Sequence, residues 1–70
     1  MSDKEKAVIL QMCEYDMNVS KVARVMYVHR NTVVYHIEKI REETNLGPMR
    51  FNDLVKLREM VIDEQSYVSV

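Results

Sequence analysis

The sequence predicts an all-α domain of four helices. Three observations carry that expectation. Among 70 residues there are one Gly, one Pro and no Trp, whereas sandwiches and barrels need frequent turn residues. Apolar residues recur three and four apart over most of the chain, the spacing of one helix face. Each such stretch begins at a residue suited to accept from free backbone N–H groups: Ser2, Asn18, His29 or Asn31, and Asn52.

The first helix is expected over about residues 3–15. Ser2 and Glu5 have the spacing of a capping box. At about 100° per residue, Ile9, Leu10 and Cys13 share one face, while Val8, Met12 and Tyr15 share the other. A helix apolar on two sides wants two partners. One is the domain's own core. The other is a second subunit or an upstream segment, which makes Val8, Met12 and Tyr15 a candidate dimer interface.

Asn18 caps a short second helix over 19–26, with Val19, Val22, Ala23 and Met26 inward. A strand competes over Val22 to Val28, but alternation fails at Val22-Ala23 and again from Val25 to Val28. Tyr27, Val28 and His29 form a tight connection. The third helix runs over about 30–43, with Val33, Ile37, Ile40 and Thr44 on one side and Asn31, Thr32, Tyr35 and Lys39 on the other. Asn45-Leu46-Gly47-Pro48 stops it, since Asn and Gly tolerate positive φ and Pro cannot continue a helix. A fourth helix over 52–64 is capped by Asn52 and faces inward with Leu54, Leu57 and Val61; the tail 65–70 is expected to fray.

Seventy residues make one domain, 1–70, with a small core. A net charge of −1 excludes a globally basic nucleic-acid coat and a polycationic membrane peptide. The charge is nevertheless polarised. Residues 1–16 carry two bases against four acids, residues 17–41 five bases against Glu38 alone, and residues 42–70 three bases against six acids. A basic middle suits a polyanion, although a solvated face with chance clustering reads the same way. Cys13 is the only cysteine, so no internal disulfide forms and a cytoplasmic setting is expected. No apolar run is long enough for a signal sequence or a membrane span.

A short helix, a tight connection and a longer one-sided helix together make a helix-turn-helix. In that arrangement the second helix enters the major groove and the first crosses the phosphate backbone. Arg30, Asn31 and Thr32 open the groove-entering helix, and Arg to guanine and Asn to adenine are strong bidentate readers. Tyr35 lies one turn on, within reach of sugar or a thymine methyl. Ser20, Lys21 and Arg24 suit phosphate, and Lys39 joins them from the third helix. His29 is read first as an N-cap and second as a contact.

The run from Asn18 to Val33, and above all Val28-His29-Arg30-Asn31-Thr32 followed by Tyr35, resembles the C-terminal helix-turn-helix of the PucR family of bacterial regulators, which includes the sugar-diacid regulators. The resemblance extends over about residues 9–62. It is similar, more distantly, to the DNA-binding end of the factor for inversion stimulation. It implies a four-helix domain that binds double-stranded DNA as a homodimer, in regulators that carry larger sensory domains upstream. Three positions depart from the pattern. Met17 stands where Gly is frequent, His36 where Arg is frequent, and Asn45-Leu46-Gly47 where Gly-Leu follows Thr.

Each candidate also has a plainer reading. Arg30 can pair with an acid on its own surface. Asn31 and Thr32 can serve the helix end, and Tyr35 can cover the core edge. Lys21, Arg24 and Lys39 can be solvated charges. His29 and His36 are seven residues, about 10 Å, apart along a helix, too far to share a metal. Cys13 reads as core, and the scattered Met residues as filler or interface. No catalytic set and no cofactor motif is present, so an enzyme is not expected. The competing function is a protein-interaction module using the same surface without DNA.

Overall fold

The computed structural model describes the backbone of residues 1–68 and the side chains of residues 1–64. Four helices follow one another: α1 over Asp3–Glu14, α2 over Val19–Val25, α3 over Arg30–Thr44 and α4 over Phe51–Val68. No strand occurs among the described residues. Helix α1 packs against all three others, and α2 packs on α3. Helix α4 is held through α1. Each helix sends three apolar side chains into one core.

The start of α1 is built as its sequence demands. The Ser2 hydroxyl accepts from the Glu5 N–H at 3.2 Å, and the Glu5 carboxylate accepts from the Ser2 N–H at 2.7 Å. That second bond holds the Glu5 carboxyl below its ordinary range, against the opposing effect of burial. Further along, the two faces of α1 do not divide as the spacing implies. Val8, Ile9 and Met12 are all fully buried, and Leu10 and Cys13 only edge the core. The proposed dimer face therefore needs correcting. Val8 and Met12 face the chain's own core and have no surface for a partner, because neighbours cover α1 on several sides. Tyr15 is half-buried on the core edge, with the Lys21 ammonium 5.2 Å from its ring centroid.

Helices α1 and α2 end in the same motif. The N–H of Met17 reaches the carbonyl of Met12 at 2.7 Å, and the N–H of Val28 reaches that of Ala23 at 3.0 Å. Both are the long reverse bonds of a Schellman ending, which needs a left-handed residue where Gly is usual. Here those residues are Asp16, with φ 56°, and Tyr27, with φ 58°. Met17 is left-handed too, with φ 63°. It thus adopts the backbone that Gly adopts easily, while its side chain packs on the core edge.

Helix α2 buries Val19, Val22 and Ala23, and α3 buries Val33, Ile37 and Ile40, as their spacing predicts. The end of α3 is capped by left-handed Asn45, with φ 61°. The Thr44 hydroxyl donates to the Ile40 carbonyl and accepts from the Leu46 N–H. Gly47 itself is not left-handed. Its N–H donates to the Asp53 carboxylate at 3.0 Å, tying the loop to the first turn of α4. Asn52 is not the cap of α4. The helix begins at Phe51, and the first turn closes from the Leu54 N–H to the Arg50 carbonyl. Leu54, Leu57 and Val61 face inward as expected. The helix continues through Val68 rather than ending near Glu64. Residues 69 and 70 lie outside the described residues. Near the C-terminal half of α4, the Lys6 ammonium meets the Glu64 carboxylate at 2.7 Å.

Ile37→Ala removes a core side chain shared between helices and is expected to cost about 2–5 kcal/mol in denaturant unfolding; a variant that melts like the parent contradicts the packing. Tyr27→Gly acts in the opposite direction. Tyr27 is 95% exposed, so nothing packed is lost, and the left-handed backbone is relieved. The expected gain is about 0.5–1 kcal/mol after the entropy cost of Gly, read as a rise in Tm of a few degrees.

Candidate nucleic-acid interface

The connection between α2 and α3 is short and sharply defined. After the Schellman ending at Tyr27, the chain turns through Val28 to His29, the N-cap of α3. The His29 Nδ1 accepts from the Asn31 N–H at 3.5 Å, a long bond. His29 therefore acts first as a cap, which leaves its Nε2 edge on an exposed residue.

Helix α3 buries one side and shows the other. Opposite Val33, Ile37 and Ile40, the helical repeat places Asn31, Tyr35, Glu38 and Glu42. Arg30 and Asn31 are exposed at the first turn, and Thr32 is half-buried beside them. Among the described residues Arg30 makes no ion pair, so the self-pairing alternative is not what the surface adopts. Tyr35 is 56% exposed rather than folded over the core edge. The His36 ring meets it edge-on at 5.5 Å, and the Lys39 ammonium lies 5.7 Å from its centroid. Lys39 also pairs with Glu42 at 3.7 Å. An exposed pair of this kind is worth about 0–1 kcal/mol, so it can exchange for a phosphate.

On α2, Ser20, Lys21 and Arg24 are all exposed. The Lys21 N–H is bonded by the Asn18 cap at 3.1 Å, which fixes the backbone of the first turn. The Lys21 ammonium is held over Tyr15, a cation–π contact that orients the side chain from α1. Arg24 stands in the last turn, where a cation complements the helix dipole. The basic middle of the sequence thus lies on the exposed sides of two adjoining helices.

Residues 7–60 match the model of the PucR C-terminal helix-turn-helix domain. The chain belongs to that family. No curated protein and no solved structure matches it. The PucR match places the four helices among the DNA-binding helix-turn-helix domains of transcription regulation. In this PucR domain the short helix of the motif is α2 and the longer one α3. No helix is long and apolar enough to cross a membrane among the described residues. No group of three or more metal-ligating side chains comes together there either. Burial raises the Cys13 thiol above its ordinary value, in keeping with a packing role.

Two features were not visible in the sequence. Tyr27 carries no signal of a left-handed turn, because its residue type disfavours one. The groove between α3 and the start of α4, lined by Ile37 and by Arg41 and Arg50 among Glu38, Glu42 and Asp53, arises only from the α3–α4 loop. Its mixed charge gives it no preference for a polyanion.

Proposed function

We propose that this chain binds duplex DNA sequence-specifically, as part of a bacterial transcriptional regulator in the cytoplasm, with α3 in the major groove. The observation that carries the reading is the exposed Arg30, without an ion pair among the described residues, beside Asn31 at the opening of α3 in a PucR-family helix-turn-helix. Arg30, Asn31, Thr32 and Tyr35 face base edges and sugars in this reading. Ser20, Lys21, Arg24 and Lys39 hold phosphates, and His29 caps α3 with one edge toward the backbone. The domain recognises DNA and performs no catalysis; larger sensory domains upstream would supply regulation. The acidic residues Glu38 and Glu42 on the outer face give the alternative, a protein-binding module, its specific support.

Reading and holding are expected to separate by mutation. Arg30→Ala should cost about 1–3 kcal/mol and relax discrimination at one base pair. Lys21→Ala should weaken all duplexes alike and lower the salt slope by about one unit. Binding to a selected site and its point variants across a salt series measures both. A parent domain with no salt-dependent affinity for duplex DNA leaves the protein-binding module as the function.

Pairing is part of the proposal, because two half-sites add their binding energies. With Val8 and Met12 buried, the surface that supports pairing moves to α4. Phe51 is 67% exposed and Val55 is exposed one turn on, with half-buried Ile62 on the same stripe. Phe51→Asp places an acid in the first turn of α4, where the helix dipole favours it. Sedimentation at tens of micromolar should show a dimeric parent and a monomeric variant. A monomeric parent, free and on DNA, ends the pairing proposal.

A further inference from the structure

Glu38 stands out on the face assigned to DNA. It is the only acid between residues 17 and 41. It is exposed, and among the described residues it makes no ion pair, whereas the charge of nearby Glu42 is answered by Lys39 at 3.7 Å. An unanswered carboxylate facing phosphates weakens binding to every sequence. The floor of the major groove is different, because base-edge donors stand there.

The register puts Glu38 over that floor. Asn31, Val34, Tyr35 and Glu38 follow the pattern i, i+3, i+4, i+7, the same spacing by which a homeodomain helix lying along the groove reads bases. Seven residues span about 10 Å of helix, close to three base-pair steps. An ionised carboxylate only accepts hydrogen bonds. In the major groove the amino donors are cytosine N4 and adenine N6, and adenine sets its own N7 acceptor beside that donor. Cytosine is the better partner.

The geometry points to Glu38 as a specificity-determining residue that accepts from the N4 amino group of a cytosine about three base pairs from the pair read by Asn31. This inference rests on the proposed placement of α3 in the major groove. It adds a carboxylate reader to the amide and guanidinium readers, and it turns the one acid of the basic stretch from a defect into a selector.

The test measures binding of the parent, Glu38→Ala, Glu38→Gln and Asn31→Ala to duplexes carrying every base pair at each position of a selected site. The parent should prefer cytosine at one position by about tenfold. Glu38→Ala should lose that preference alone, and Glu38→Gln should shift it toward adenine. The position affected should lie about three steps from the one relaxed by Asn31→Ala. If Glu38→Ala instead tightens every duplex alike with all preferences intact, Glu38 is a mere repulsive charge and the inference is overturned while DNA reading by α3 stands. If the parent binds no duplex, the inference falls together with the DNA-binding reading. Because Glu38 is exposed mid-helix, Ala should leave the dichroism melt unchanged, which confirms that any loss is one of reading.

Discussion

Helix α1 is the support on which the other helices are arranged. It has twelve residues, and α2, α3 and α4 all pack against it. Val8, Ile9 and Met12 make this possible, since their side chains are wholly removed from solvent. Full burial of one such side chain is worth about 1.5–3 kcal/mol, a large part of what holds a small domain together. The angle between α2 and α3 is fixed by their own contact. The placement of that pair relative to α4 passes through α1.

The same dependence explains which parts of the molecule the sequence reveals. The inward stripes of α2, α3 and α4 are legible because each of these helices has one buried side, and a single period of 3.6 describes it. The helix α1 is covered from several directions, so its pattern yields two faces and no way to rank them. Val8 and Met12 then look available to a partner although the chain itself encloses them. The ends of elements fail for another reason. Asn52 is a good cap by type, yet the loop bond from Gly47 to Asp53 lets α4 start at Phe51. Met17 and Tyr27 take left-handed backbone that their residue types disfavour, and only the surrounding turns impose it.

The outer surface of the motif was more legible than its inner joints. Arg30, Asn31, Tyr35 and Lys21 come to the exposed side because helical spacing alone decides it. Spacing does not reveal which charges are already engaged. Lys39 shares itself between Tyr35 and Glu42, and Lys21 is drawn over Tyr15, whereas Arg30 stands free of ion pairs among the described residues. A surface with both tethered and free cations divides labour. Tethered groups arrive in place with less entropy to lose, and free ones keep the reach to search for a partner.

The pairing of α1 with α4 has a consequence for how the molecule is made. These two helices lie on either side of α2 and α3 in the chain, so the contact that completes the core is between segments far apart in sequence. The α2–α3 pair joins neighbouring segments and closes at little entropic cost, but the α1–α4 contact closes a loop that contains it. On a ribosome, α1 emerges before the three helices that pack against it. It waits through the synthesis of the whole motif before α4 arrives. The side of α1 that α4 covers therefore stays open until both helices of the motif have been synthesised.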